Sequence, residues 1–571
     1  MFQKYDNHRQ TGLSSVEMLL SEKRLEKLRR TAEWAFYSEV FCRIDEEMFE
    51  VLYSDKPSRP NAPVNQIIGA IILKEMKKWT WRELFDHLAF DILARCAIGL
   101  QDMSDEAPAM STVFRFLGYI QKYDAAHAKD EAYTGLMKRL FSSITEAALS
   151  RTGISQEKIR IDSTFLDSNI RRYGRIQLLI EGIQRLWRIL DEADKETHRE
   201  LLAPYIKEDS GHFLYTLEEA EAPRSEERLV TVYTGLYTTL KKTYGKDPVF
   251  KDVYGRIFHE QIEIDGGKIK LKKPSEIASG SLQSPDDTKA TYRNKNGEKH
   301  QGHLAQITET VDTEKDLSLI TDVAITANNK DDAQYLAGKI GEYTEKGARK
   351  IHADGGYGSK TVDTELADHE ATLYQRAVKG RKSKSPLTIK KTETNTFELV
   401  CPFQQVSAKK NKKRYVGKFD KKQCRKCPHQ ANCPAGKNKG KHYFSRQDYR
   451  KQKRHNAYKE LPEKERTIRS GSERTMHEMY YDRKHGKKMR VRGHFSMERD
   501  TICRAIGTNF MRMMRWCAKN GRELSEIAVF TPLFTFFVNF LYTLRMLCRH
   551  SGVSAWQRTT FLRNYAAGYS E

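Results

Sequence analysis

Apolar and polar residues alternate over residues 157–169, and this alternation predicts a short β-strand. Ile159 and Ile161 fall on one face, and Lys158, Arg160 and Asp162 fall on the other. We expect the strand to end at Asp162, so that a carboxylate stands at its C-terminal end. A carboxylate in that position requires a partner.

Residues 348–359 repeat this arrangement. Ile351 leads to Asp354, and Gly355, Gly356 and Gly358 then turn the chain away. Two strand-end aspartates that both stay ionised need a metal ion or a buried base to offset their repulsion. An aspartate after a strand is also a common turn or cap residue, so each one alone has an ordinary structural explanation.

Helical spacing dominates the regions on either side of the first aspartate. Residues 16–150 read as helical throughout, with a capping box at Thr80 and Glu83 and a helix opened by Pro108 and Ser111. Trp79, Trp81, Arg82 and Arg115 would suit a DNA-binding module, and a helical bundle with a plain aromatic core fits equally well. Residues 170–285 predict a helical insertion after the first strand.

Strand patterns return after this insertion. Residues 303–311 and 316–327 predict a hairpin, and residues 372–378 predict a further strand beyond Asp354. Between them, Asn328 or Asn329 would cap one helix that runs to near Gly347. This order predicts an α/β layer with a mixed sheet.

The C-terminal third predicts helices after a basic segment. Residues 409–426 contain ten Lys or Arg and one acid, Asp420; this is dense for an ordinary solvated face, although a flexible basic linker remains open. One helix carries Glu473 in its first turn and Gly486 at its end, and another covers 497–517. The apolar run 527–544 predicts a buried or subunit-interface helix, with a membrane segment as the lesser alternative.

Composition narrows the class of partner. The chain has 571 residues, a formal charge of +23 and a pI near 9.4, which favours a polyanion, either nucleic acid or an anionic membrane surface. No secretory signal is visible, and the cysteines are typical of a reducing cytoplasm. We therefore expect a cytoplasmic protein that is not bound to a membrane.

Four of the nine cysteines cluster, and their spacing is suited to a structural zinc site. The four are Cys401, Cys424, Cys427 and Cys433. Four thiolates fill a tetrahedral zinc site and leave no position for catalysis. Free core thiols are the alternative, but a segment this basic offers little apolar packing for them.

Carboxylates from separate elements that converge on one point are what two-metal phosphoryl transfer requires. Asp162 and Asp354 supply two. The candidates for the third are Glu465, Glu473 and Glu478, and Glu473 is the best placed because Arg469 and Arg474 stand near it and could contact a phosphate.

The strings RIDSTFLDSN, HADGGYGS and RSGSERTMHEMYYDRKHGKKMRVRG, in this order, resemble the DDE transposases of bacterial insertion sequences. The resemblance implies an RNase H-like fold in which Asp162, Asp354 and Glu473 bind Mg²⁺ or Mn²⁺. One branch of these enzymes has Tyr, Arg, Glu and Lys at set spacing around the glutamate. Here Arg469 and Glu473 keep that spacing, but Arg466 and Tyr480 stand at the Tyr and Lys positions.

The resemblance implies a DNA transposase of an insertion sequence, which cleaves the element ends and transfers the 3′ strand to target DNA. Its partners would be double-stranded DNA and, in the DNA complex, a second copy of the chain. Phosphate contacts are expected from Arg469, Arg474, Lys487, Lys488, Arg490 and Arg492. The alternatives are a metal-dependent nuclease of the same fold without strand transfer, and an inactive zinc-bearing DNA-binding protein derived from a transposase.

The predicted domains follow from the same order of elements. Residues 16–150 would form a helical DNA-binding domain, and residues 151–380 an RNase H-like core interrupted by the insertion. Residues 381–460 would form a basic, zinc-binding insertion. Residues 461–571 would complete the core and could supply a dimer interface.

Overall fold

The computed structural model describes residues 1–6, 8, 14–57, 59–207, 209–215, 222–375, 387–392, 396–412, 414–481 and 488–521. Predictions for Lys487, Gly486, residues 376–378 and residues 527–544 lie outside this part of the chain. Within it, no helix is both long enough and apolar enough to cross a membrane.

The N-terminal region is helical, as the periodicity predicts. Its helices are α1 Val16–Leu19, α2 Glu22–Arg29, α3 Ala32–Glu39, α4 Val64–Lys77, α5 Trp81–Phe90, α6 Ile92–Ala97, α7 Met110–His127 and α8 Leu136–Thr152. The predicted capping box opens α5, with Thr80 and Glu83 satisfying each other's backbone N–H groups. Trp79 and Trp81 pack against the core of this region.

The first strand, β1 Lys158–Asp167, is followed by the predicted helical insertion. The insertion has its own core around Leu179, Tyr233 and Tyr254. Its elements are α9 Arg175–Ile189, α10 Glu192–Ile206, α11 Ser210–Tyr215, α12 Ala222–Tyr244, α13 Gly255–Gln261 and the hairpin strands β2 Ile262–Asp265 and β3 Lys268–Leu271. The β2–β3 hairpin was not predicted.

A six-stranded mixed sheet forms the centre of the molecule. After the insertion come β4 Thr291–Lys295, β5 Glu298–Asp312, β6 Leu317–Ala327, α14 Asp332–Ala337, α15 Ile340–Glu345, β7 Lys350–Ala353, α16 Lys360–Asp368 and β8 Thr372–Gln375. The strand order is β4-β5-β1-β7-β8, and β6 also pairs with β5. β5 is antiparallel to β1, whereas β7 and β8 run parallel to it. This mixed sheet is compatible with the α/β class predicted.

Two local predictions in this sheet are wrong. β1 does not end at Asp162 but continues to Asp167, because its second half keeps pairing with β5. The single helix predicted before β7 is two short helices, and its cap is Asp331. Asn328 is not available as a cap, since its side chain accepts a hydrogen bond from Thr291 Oγ1 (2.7 Å) and so ties the end of β6 to β4.

The segment after β8 folds into a second, antiparallel sheet where the sequence predicts a basic knuckle. Its elements are β9 Thr388–Lys391, β10 Phe397–Cys401, β11 Gln404–Asn411, β12 Arg414–Lys418, α17 Lys421–Arg425, α18 Pro434–Lys437 and β13 Lys441–Phe444. The strand order is β13-β12-β11-β10-β9. One face packs on a small core around Phe397, Leu399 and Phe444.

Four helices follow: α19 Arg446–Glu460, α20 Glu463–Arg466, α21 Gly471–Tyr480 and α22 His494–Lys519. The last contains the predicted helix 497–517 and extends it at both ends. Helix α22 packs against β6, α4 and α8. One hydrophobic core therefore includes the N-terminal helices, the central sheet and α22, and this shared core fixes α21 against the sheet.

Candidate active site

Asp162 lies on β1, and Asp354 directly follows the adjacent parallel strand β7. β1 and β7 pair in the register Lys158↔Lys350 through Arg160↔His352. If this register is extended by two residues, Asp162 comes level with Asp354, which directly follows β7, and the charge of Asp354 raises the pKa of Asp162, so the two carboxylates are near each other. Asp354 also has the ordinary role of a turn residue, since its Oδ1 accepts a hydrogen bond from the Gly356 N–H (2.7 Å).

The Asp162 carboxylate is held from two sides. Its Oδ1 accepts from the Ser163 N–H (2.9 Å), and its Oδ2 accepts from Ser472 Oγ (2.8 Å). Arg469 Nη2 lies 3.6 Å from Oδ2. Burial raises the pKa of Asp162, the Ser472, Ser163 and Arg469 contacts oppose that rise, and the charge of Asp354 adds to it. A positive charge close to the two carboxylates would therefore offset their burial and their mutual repulsion.

Glu473 lies in the first turn of α21, as predicted, next to Ser472 in sequence. Its carboxylate is 73% exposed, and Arg469 Nη1 lies 3.7 Å from its Oε1. Arg469 thus reaches both Asp162 and Glu473 and bridges strand and helix. The other two glutamate candidates are engaged elsewhere: Glu465 pairs with Lys158 (2.7 Å), and Glu478 pairs with Arg512 (2.8 Å).

The donor set suits a hard divalent cation, because it consists of carboxylate oxygens from Asp162, Asp354 and Glu473. In the described part of the chain, no group of three or more His, Cys, Asp and Glu side chains stands close enough to hold a metal ion. Glu473 faces solvent, and the Arg469 guanidinium lies between it and Asp162. To bind one ion together, the three acids would require Glu473 to turn inward and Arg469 to move aside.

A fourth carboxylate, which the sequence did not single out, lies at the same place. Asp332, in the first turn of α14, accepts from Gln306 Nε2 at its Oδ1 (2.8 Å), and Gln306 Oε1 accepts from Tyr357 Oη (2.7 Å). Burial raises the pKa of Tyr357, and the charges of Asp332, Asp162 and Asp354 raise it further. The charges of three carboxylates therefore act on the one buried hydroxyl group of Tyr357. In the sequence, the one indication of this arrangement was Gln306, a polar residue inside the predicted strand 303–311.

A buried charge network anchors α21 beneath the site. Arg160, two residues before Asp162 on β1, pairs with Glu309 of β5. Arg160 also donates to the Ile468 carbonyl (3.2 Å) and to Thr475 Oγ1 (3.3 Å). Arg512 of α22 contacts the same Glu309 (3.1 Å) and Thr475 Oγ1 (2.6 Å). The sequence signal for this network was a glutamate inside the predicted strand 303–311.

The residues predicted to contact DNA are placed unevenly. Arg469 lies within the site, and Arg474 is exposed on α21 with its Nε 3.5 Å from Glu478. Lys488 forms an isolated backbone β-bridge with Asp167 at the end of β1. Arg490 donates to the Lys78 carbonyl (3.0 Å), and Arg492 lies 3.5 Å from Asp286. The segment that contains Lys488, Arg490 and Arg492 therefore lies beside the C-terminal end of β1 and not beside the two aspartates.

The four clustered cysteines line one cavity beside the second sheet. Burial raises the pKa of the Cys424 thiol, and the neighbouring Cys433, Cys401 and Cys427 add to the rise. The four thiols thus lie near one another. Among the described residues, however, they do not form a group tight enough to hold a metal ion. The zinc site stays a prediction.

An α/β protein with two acids on adjacent parallel strands and a helix-borne glutamate beside them has the kind of site that metal-dependent phosphoryl transfer uses. Residues 395–514 match a family model described as Transposase DDE domain, and this match supports a DDE transposase. Such domains generally use divalent metals. The matched segment contains Glu473 and the cysteine cluster and excludes Asp162 and Asp354. Searches of curated proteins and of solved structures found no match.

Proposed function

We propose that this protein is a DNA transposase that cleaves element ends and joins the freed 3′ strand to target DNA. The observation that supports the proposal is that the charge of Asp354 acts on Asp162 and that the helix of Glu473 is held to Asp162 through Ser472 (2.8 Å). Catalysis of this kind requires acids from separate elements at one point. Here β1, β7 and α21 would supply them.

Asp162, Asp354 and Glu473 would hold two Mg²⁺ or Mn²⁺ ions, which activate water or a 3′-hydroxyl and stabilise the leaving oxygen. The protein itself contributes position and charge. Ser472 orients the Asp162 carboxylate, and Arg469, which the metal would displace from between the acids, is free to contact the DNA phosphate.

The sheet order supports an RNase H-like core. With β4 set aside, the order β6-β5-β1-β7-β8 has the first strand of the chain in its centre, and of the other four strands β5 runs antiparallel to it while β6, β7 and β8 run parallel to it. The core would run over 151–380 with the insertion at 170–285, and residues 461–571 would complete it. Residues 16–150 would form the DNA-binding helical part, and 381–460 the basic insertion.

The proposal also covers the partners of the protein, its location in the cell and a structural metal ion. The DNA would be double-stranded, and two copies of the chain would act together because two element ends are processed together. The chain would act in the cytoplasm. Cys401, Cys424, Cys427 and Cys433 would take up a structural Zn²⁺; about one equivalent of metal released by denaturation, and lost in a Cys424→Ser/Cys427→Ser variant, would support this.

The experiment uses a plasmid that carries the DNA flanking the coding region on both sides, with Mg²⁺ or Mn²⁺. Wild-type protein is expected to nick at the element ends and to join a pre-cleaved end to a target plasmid. Asp162→Asn, Asp354→Asn and Glu473→Gln should each abolish both steps. Glu463→Gln, an exposed acid on the neighbouring α20, is the matched control and should retain them.

The outcomes separate the alternatives. Cutting without joining would indicate a nuclease. Binding of DNA with no cutting in either metal would indicate an inactive DNA-binding protein. Cutting by the Asp162→Asn variant would place the active site elsewhere.

A further inference from the structure

The second sheet has one face on its core and one face in solvent, and the solvent face is basic. Cross-strand partners lie on the same face of a sheet, and so do alternate residues of one strand. The registers Lys409↔Val416↔Tyr443 and Lys418↔Lys441 therefore put their lysines on one side. We call this side the basic face; its exposed cations are Lys390, Lys409, Arg414, Lys418 and Lys441.

Acidic side chains of the described residues do not pair with these five cations. In the described part of the chain, none of the five has an acidic partner within 4.0 Å, although many other surface lysines and arginines do. The acid on this face, Glu398, accepts a hydrogen bond from Gln405 Nε2 (2.6 Å). Uncompensated positive charge on a rigid, exposed sheet favours an extended polyanion.

The dimensions of the face fit a duplex backbone. Strands in a sheet lie about 4.8 Å apart, so β9 and β13, four spacings apart, are separated by about 19 Å. The phosphates of one DNA strand rise about 3.4 Å per nucleotide along the axis, so this width covers about six of them. Tyr443, also on this face and 38% exposed, adds a hydroxyl that can donate to a phosphate.

We infer that the basic face binds the phosphate backbone of double-stranded DNA without reading its sequence. The inference rests on the proposed function for the identity of the polyanion. It adds a DNA-contacting surface that is separate from the residues around Glu473. In sequence, its lysines lie between the second aspartate and the helix of Glu473.

The test measures binding alone, by fluorescence anisotropy of a labelled 40-base-pair duplex of arbitrary sequence in EDTA at 50–300 mM KCl. Each phosphate contact contributes about 0.9 to the slope of log affinity against log salt. The Lys409→Gln/Lys418→Gln/Lys441→Gln variant should therefore lose about 2 to 3 from that slope and bind about tenfold more weakly, or worse, at 150 mM KCl.

The matched control is Lys242→Gln/Lys246→Gln/Lys251→Gln, which removes the same charge from exposed positions of the helical insertion. It should keep the wild-type slope. A second measurement needs no variant: in wild-type protein, bound duplex should protect Lys409, Lys418 and Lys441 from acetylation and leave Lys242, Lys246 and Lys251 reactive.

Equal slopes for the two triple variants, unprotected face lysines or a wild-type protein that does not bind the duplex would each overturn the inference. If wild type cuts DNA while the face variant binds as wild type does, the inference fails and the proposed function stands. If the face variant loses binding as expected but wild type never cuts in Mg²⁺ or Mn²⁺, the proposed function fails and the basic face stands.

Discussion

Replacing Arg512 by Met should loosen helix α21, and with it the segment that carries Ser472 and Glu473. Arg512 is buried on α22, and its guanidinium contacts Glu309 (3.1 Å), Glu478 (2.8 Å) and Thr475 Oγ1 (2.6 Å). Two of these three partners belong to α21. Methionine fills similar volume but leaves the carboxylates without that partner.

The magnitude follows from burial. Removing one member of a buried ion pair costs about 3–5 kcal/mol when the remaining charge is left unpaired, and because Arg160 still pairs with Glu309 we expect the lower end, about 3 kcal/mol. Arg515 provides the comparison, since it contacts the same Glu478 (3.2 Å) from a position where its side chain is 52% exposed. An exposed pair contributes about 0–1 kcal/mol, so Arg515→Met should have little effect.

Hydrogen exchange of peptides covering α21 measures this opening directly. At about 1.4 kcal/mol per tenfold change, Arg512→Met should speed exchange in α21 by about a hundredfold, and Arg515→Met by less than about tenfold. Peptides from the helical insertion, which has its own core, should exchange alike in all three proteins. Equal, small effects of the two substitutions on α21 would refute this account of the network.

Three further substitutions test the surroundings of the site. Ser472→Ala removes the hydrogen bond to Asp162 and should slow nicking by about ten- to a hundredfold while duplex binding stays unchanged, since a hydrogen bond to a charged group contributes about 1.5–3 kcal/mol; unchanged nicking would contradict the positioning role. Asp332→Asn should raise the Mg²⁺ concentration needed for half-maximal nicking, and an identical Mg²⁺ dependence would remove Asp332 from the site. The pKa of Asp287, beside His303, is lowered to about 2 from 3.8, so its charge stabilises the fold above the unfolded pKa and this contribution is lost as pH falls towards 2. Denaturant unfolding should then show Asp287→Asn to be about 2 kcal/mol less stable than wild type at pH 6, and the gap should narrow by pH 3; a gap independent of pH would contradict the assignment.

Local sequence signals predicted the elements that depend on near neighbours. The alternation around Ile159 and Ile161 gave β1, and the capping box at Thr80 gave the start of α5, because both depend on residues a few positions apart. The same alternation could not place the end of β1, which depends on pairing with β5.

Long-range partners account for what the sequence could not predict. The strands of the second sheet are short and rich in lysine, so their pattern is indistinguishable from a basic linker until β9 to β13 pair. The roles of Glu309 and Asp332 depend on residues far away in sequence, Arg512 and Tyr357 among them. Glu473 could be chosen over Glu465 and Glu478 by its neighbours, but only the fold shows that the other two are already paired.

The central claim is that Asp162, Asp354 and Glu473 serve one divalent-ion site, and iron-directed cleavage of the polypeptide tests it most directly. Fe²⁺ bound at that site, with ascorbate and peroxide, should cut the wild-type chain near residues 162, 354 and 473, and excess Mg²⁺ or the Asp162→Asn/Asp354→Asn change should suppress all three cuts together. Cuts at other positions, or cuts that persist in the double variant, would contradict the claim.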